Sequence, residues 1–333
     1  TGKKPYLIAE LSGNHQGDIR RALKLVDAAA DAGADAIKLQ TYTADTMTLK
    51  VDRPEFMIDG GPWKGKSLYE LYEEASTPWD WHEEIFAKAK NRNIDCFSSP
   101  FDASAVDFLD NLSVPAFKIA SFEMVDLSLI KKAASKNKPI IMSTGIADFK
   151  EIQDACNVVK NYSSAGLALL HCISEYPANP SEMKLRTIPG LINSFNVPVG
   201  LSDHSLGCSV AIASIALGSA IVEKHITLER KSGGVDASFS LEPLEFKELV
   251  EKCNQVYEAL GEKYDKKNLS KKSNHLYRRS IYVVKNIRKG EFFSEDNVRS
   301  IRPGLGLAPK YLENVLGKMA SRSISRGEPL TWQ

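Results

Sequence analysis

The chain has 333 residues, with 43 Lys and Arg against 42 Asp and Glu, and 43% of it is hydrophobic. That near-neutral balance excludes nucleic acid or an anionic membrane as a partner captured by net charge, so any affinity for anions must be local. Five widely spaced cysteines without a CxxC predict reduced thiols and a cytoplasmic protein rather than a disulfide framework.

The opening TGKKPYLIAE has no long apolar stretch and predicts no signal peptide. Its YLIAEL reads as a strand, followed by the helical DIRRALKLVDAAADAG and a second strand, DAIKLQTY. After an insertion come helix PWDWHEEIFAKAKNRN, strand IDCFSSP, helix SAVDFLDNL and strand AFKIAS. The alternation continues with LSLIKKAASKN before PIIMSTG, FKEIQDACNVVKNY before LALLHCIS, and SEMKLRTIPGLINSF before VPVGLSD. GCSVAIASIALG then precedes AIVEKHIT, and PLEFKELVEKCNQVYEALG closes the series.

Eight continuously apolar strands alternating with helices over about 260 residues predict a (β/α)8 TIM barrel. A doubly wound open sheet is the alternative, but LSGNHQGD after the first strand does not match its GxGxxG turn. The uncharged run SLGCSVAIASIALGSAIV reaches membrane-spanning length. Its serines and Gly-Ser break predict instead a buried helix followed by a strand.

The pattern changes after Gly261. Polar, lysine-rich EKYDKKNLSKKSNH reads as a linker, and RSIYVVKNI, an RKGE turn, VRSIRPG, GKMASRSI and SRGEPL read as short strands and turns. The domains expected are a barrel over 1–265, a linker over 266–277 and a small β-rich domain over 278–333.

Barrel chemistry sits at the C-terminal ends of the strands, and the polar residues in the apolar runs gather there. They are Glu10, Lys38 and Gln40, Ser98 and Ser99, Lys118 with Ser121 and Glu123, Ser143, His171, Asp203 with His204, and His225. Lysines inside buried strands are costly unless paired or functional. Lys38 and Lys118, with hydroxyls nearby, point to a phosphate site, with Schiff-base or structural roles as alternatives. His204 and His225, at the ends of neighbouring strands, read as a pair of metal ligands or as a general acid and base, with His15 and His171 as weaker candidates. Glu10 and Glu123 are candidate acid/base carboxylates.

These stretches resemble the sialic acid synthase family, which condenses phosphoenolpyruvate with an amino-sugar aldehyde. The resemblance lies in AELSGNHQGD, AGADAIKLQTY, FSSPFD, FKIASFE, MSTGIA, EYP, VGLSDHSLG and EKHITL. RRSIYVVKNIRKGEFFSEDNVRSIRPG resembles the antifreeze-like (SAF) domain these enzymes carry. Within the family, GGPWKGKSLYELYEEASTPWDWH is most similar to the branch that converts a 2,4-diacetamido-2,4,6-trideoxy hexose to pseudaminic acid. Pro62 and Lys64 stand where Leu and Asp are usual, and the N-acetylneuraminate, legionaminate and spore-coat polysaccharide branches are alternatives.

The resemblance implies catalytic roles for Glu10, Lys118 and Glu123, and a divalent Mn2+, Mg2+ or Co2+ on His204 and His225. It implies phosphoenolpyruvate binding by Lys38, Ser99, Lys118, Ser121, Ser143 and Ser202. Sugar binding falls to Gln40, Glu123, Tyr176, Asp236 and Arg302. Arg302 is expected to reach the partner's site in a domain-swapped homodimer. A Schiff-base aldolase and a non-catalytic carbohydrate- or ice-binding protein are the readings from other classes.

Overall fold

The computed structural model describes residues 4–261 and 276–332. It divides into two compact units, Thr1–Gly261 and Glu262–Gln333. The expected boundary at 265 and residues 266–275 of the expected linker lie outside the described residues.

In the first unit the apolar runs become β1 (Tyr6–Glu10), β2 (Ala36–Thr41), β3 (Asp95–Pro100) and β4 (Phe117–Ile119). They continue as β5 (Ile140–Ser143), β6 (Leu167–Cys172), β7 (Val199–Asp203) and β8 (Ile221–His225). The eight form a closed barrel in sequence order. Closure is a parallel pairing of β1 with β8, from Tyr6 opposite Ile221 to Glu10 opposite His225.

The helices between strands start where the sequence offers a cap. Asp18, Asp102, Asp126 and Asp148 each accept backbone N–H groups at the head of a helix. The helix Ile19–Asp31 buries Ala22, Leu25, Val26 and Ala29, a 3–4 residue spacing that lays one stripe on the barrel. Each fully buried Leu or Val contributes roughly 1.5–3 kcal/mol. The uncharged run divides into helix Ser209–Ala216 and β8. Among the described residues no helix is long and apolar enough to cross a membrane.

Strand pleating decides which polar residues face inward. Successive side chains point to opposite faces. On β8, Glu223 and His225 line the central cavity. Lys224 between them makes a fully buried ion pair with Asp203 at 2.7 Å. Ser202 and His204 likewise line the cavity on either side of Asp203. Gly200 on β7 has no room for a side chain: a Cβ there would lie 2.3 Å from the Ile221 carbonyl oxygen.

The insertion between β2 and β3 folds back on itself. Ile58 N donates to Lys66 O and Gly65 N to Ile58 O, both at 2.9 Å. Helix Leu68–Ala75 follows from a capping box between Ser67 and Glu70.

The second unit contains β9 (Ser280–Val283) paired antiparallel with β10 (Val298–Ile301). Its own core includes Ile281, Val283, Ile287, Val298, Val315 and Leu330. The stretches GKMASRSI and SRGEPL depart from expectation. They make isolated bridges, Met319 with Phe292, Ile324 with Ile287 and Pro329 with Tyr282, rather than strands. With so few residues, turns and single bridges satisfy backbone groups that longer strands would otherwise pair.

Candidate active site

A cavity of about 750 Å3 opens at the C-terminal ends of the barrel strands, lined by side chains from several strands and from the β2–β3 insertion. Its polar floor is built from β2, β4, β5, β7 and β8. Lys118 Nζ donates to Ser143 Oγ at 2.7 Å and lies 3.9 Å from Glu223 Oε1. Lys38 Nζ is 3.6 Å from the same Glu223 oxygen, which also accepts from Ser202 Oγ at 3.1 Å. Glu223 therefore sits between the two lysines.

Glu10 and Ser99 lie behind the lysines. Glu10 Oε2 is 2.6 Å from Lys38 Nζ, and its other oxygen accepts from Gln40 Nε2 at 3.0 Å. Lys38 also donates to Ser99 Oγ at 3.4 Å. Ser121 Oγ accepts from Gly145 N at 3.1 Å, and a Cβ at Gly145 would come within 2.7 Å of that hydroxyl. Glycine is required there for the β5 loop to pass so close.

Burial and charge drive the ionisable groups apart. Burial raises Glu10, with Lys38 opposing it and Glu223 adding to it. Glu223 is lowered: burial opposes ionisation, but Lys118 and Lys38 outweigh it. Burial lowers Lys118. Burial also acts against the charge of Lys38, yet Glu10 and Glu223 leave it raised. Burial pushes Glu123 up to about 7 and Asp236 up to about 6. Two neighbouring carboxylates whose affinities for a proton diverge are equipped for different roles.

At one wall the rings of His204 and His225 stand 5.5 Å apart. His204 Nδ1 donates to Ile173 O at 3.0 Å, so its other nitrogen is the one that could take a metal, once it has lost its proton. Burial holds His204 down, but Cys172, with Sγ 3.8 Å from Nδ1, leaves it raised. Burial and the positive charges of His204 and the lysines hold His225 well below its ordinary value, so it is neutral. His225 Nδ1 is buried without a hydrogen-bond partner. A neutral imidazole with an orphaned nitrogen beside a second imidazole fits two ligands of a divalent ion. Among the described residues no group of three or more His, Cys, Asp or Glu forms a fuller shell.

Asp236 Oδ2 is 3.7 Å from His225 Nδ1 and accepts a hydrogen bond from Ser12. Tyr176 packs on His204 with centroids 4.4 Å apart, and Gln40 and Glu123 also line the cavity. Arg302 lies exposed in the second unit. His171 and His15 are used structurally. His171 Nε2 bonds Met183 O at 2.6 Å, and His15 Nε2 bonds Thr77 Oγ1 at 3.3 Å.

Sequence reasoning missed Glu223, Ser12 and Trp63. Glu223 carried a usable signal, since it lies two residues before His225 on one strand face. Ser12 and Trp63 lie in short 3-10 turns of four and three residues, too short for any periodicity to point inward.

The NeuB family model matches residues 25–265, and the SAF domain model matches residues 278–333. A pseudaminic acid synthase of Campylobacter jejuni subsp. jejuni is 46% identical over 332 residues, covering 99% of this chain and 96% of that one. A pseudaminic acid synthase of Helicobacter pylori is 41% identical over 330 residues, covering 98% and 96%. The crystal structure of the N-acetylneuraminic acid synthetase of Leptospira borgpetersenii serovar Hardjo-bovis superposes with a TM-score of 0.75 at 31% identity, covering 83% of this chain and 92% of that one.

Proposed function

The chain belongs to the NeuB family and is a sugar acid synthase, and we propose that it condenses phosphoenolpyruvate with a 2,4-diacetamido-2,4,6-trideoxy hexose to give pseudaminic acid and phosphate. The observation that carries this reading is a single cavity with buried lysines and hydroxyls on its floor and a histidine pair on its wall. The floor suits a phosphorylated acid; the wall suits a carbonyl.

In this reading Lys38, Lys118, Ser121, Ser143 and Ser202 hold phosphoenolpyruvate, with Ser99 backing Lys38. Gln40, Glu123, Tyr176 and Asp236 hold the sugar, fixing its aldehyde carbon against C3 of phosphoenolpyruvate. When bound at His204 and His225, a divalent Mn2+, Mg2+ or Co2+ ion supplies Lewis-acid polarisation of a carbonyl. C3 bonds to the aldehyde carbon, and the aldehyde oxygen takes a proton from the neutral carboxyl of Glu123. Water adds to C2 and gives its proton to Glu223, which the lysines keep ionised. Glu10 acts behind Lys38, holding the ammonium on the phosphate. The C2 hydroxyl then passes its proton to the bridging oxygen as the bond between C2 and that oxygen breaks, phosphate leaves, and the 2-keto acid remains.

Arg302 reaches the sugar held by the other subunit of a domain-swapped homodimer. Five free cysteines accord with a reducing, cytoplasmic setting.

The test is phosphate release from phosphoenolpyruvate and Mn2+ with a panel of mono- and diacetamido sugars, with and without EDTA. The diacetamido trideoxy hexose should give the highest kcat/KM, and EDTA should abolish turnover. Preference for N-acetylmannosamine would move the chain to the N-acetylneuraminate branch, and no release with any sugar would end the reading.

A further inference from the structure

The cavity has a second half that the chemistry above does not use. Besides the lysine floor, the cavity has an apolar wall that comes largely from the β2–β3 insertion: Met47, Ile58, Trp63, Leu68 and Leu71 all line it. Tyr42 closes one side, edge-on to Phe101 at 5.1 Å and to Tyr72 at 5.8 Å.

Trp63 is fixed in this wall. It stands on the turn closed by the Ile58–Lys66 and Gly65–Ile58 bonds. Its indole Nε1 donates to Val235 O at 2.8 Å, tying the insertion to the loop after β8. Its ring rests on Tyr176 at 5.4 Å, and Tyr176 in turn packs on His204. The only polar atom of the indole is therefore spent on the protein, and the face left to the cavity offers hydrocarbon alone.

We infer that Trp63 and the apolar wall of Met47, Ile58, Leu68 and Leu71 determine sugar specificity by receiving methyl groups at the end of the hexose remote from its aldehyde. This rests on the function proposed above. A six-carbon substrate with its aldehyde at the histidines extends past Tyr176 onto Trp63. The groups that meet the wall there gain by being apolar: the methyl of an acetamido substituent, or a C6 methyl. A hydroxyl at the same place gives up water without finding a partner. One or two methyl groups in such a wall discriminate by roughly 10–200-fold.

The test compares Trp63→Ala and Trp63→Phe with the wild type. Equilibrium binding by calorimetry is measured for the diacetamido trideoxy hexose and for the same hexose with hydroxyls at C4 and C6, beside the KM for phosphoenolpyruvate. Trp63→Ala should weaken the diacetamido sugar by about 10–200-fold. The hydroxylated sugar and phosphoenolpyruvate should be little changed, and Trp63→Phe should fall between. Equal weakening of both sugars, or of neither, overturns the inference. Selective wild-type binding that Trp63→Ala abolishes, without phosphate release, supports the wall while sinking the proposed reaction. The two failures are therefore distinguishable.

Discussion

Lys38 Nζ meets Glu10 Oε2 at 2.6 Å inside the barrel, where the two side chains are 5% and 1% exposed. Removing Glu10 leaves Lys38 only Glu223, 3.6 Å away and shared with Lys118, to offset its charge; losing a buried partner outright costs ~3–5 kcal/mol. Glu10→Ala should lower the urea midpoint by a corresponding amount and raise the KM for phosphoenolpyruvate. An unchanged midpoint would show that Glu223 alone suffices to hold Lys38.

Glu223 is the carboxylate on the cavity floor that both lysines keep ionised. Glu223→Gln keeps the shape and the bond from Ser202 while removing the base. If Glu223 accepts the water proton, kcat should fall by ~10²–10⁴ with the sugar KM nearly unchanged. A defect confined to KM would remove Glu223 from the chemistry.

Glu123 gives a signed pH dependence. Burial lifts its carboxyl from an ordinary 4.5 to about 7 in the folded chain. Below pH 4.5 both states are protonated, and above pH 7 both are ionised, so the contribution is flat in each range. Between them the unfolded chain releases a proton that the native chain keeps. The native state loses about 1.4 kcal/mol for each pH unit in that window. Denaturant titrations should show wild type losing stability relative to Glu123→Gln as pH rises from 4.5 to 7. Parallel curves would contradict the raised carboxyl.

Lys118 has the lowered proton affinity that an imine-forming lysine needs. In the proposed reaction it serves only as a cation. Borohydride with phosphoenolpyruvate or sugar should leave the intact mass of the protein unchanged. A reduced adduct on Lys118 would restore the Schiff-base aldolase reading.

Arg302 can be assigned to one subunit or the other by complementation. In the domain-swapped homodimer proposed above, Lys38→Ala and Arg302→Ala should each be inactive alone. Co-expressed, they should regain activity, because one barrel of the mixed dimer has both Lys38 and the partner's Arg302. No recovery would place Arg302 in its own subunit's site or outside any site.

The sequence by itself determined the barrel and marked several of the polar residues that line its cavity. Buried parallel strands must be apolar throughout, so Lys38 and Lys118 inside strands and His204 and His225 at strand ends stood out as exceptions. The small second unit was less legible, because its segments bridge singly and short apolar runs resemble strands. Only the tertiary structure decided which polar residues share the cavity. Pleating and closure turn Glu223 inward and Lys224 away, and they place Glu10 behind Lys38. Trp63 is far from the histidines in sequence, and one bond to Val235 brings it into their cavity. Sequence spacing reports what lies on one strand or helix face; a site assembled from separate strand ends and a loop depends on register and closure, which local pattern does not encode.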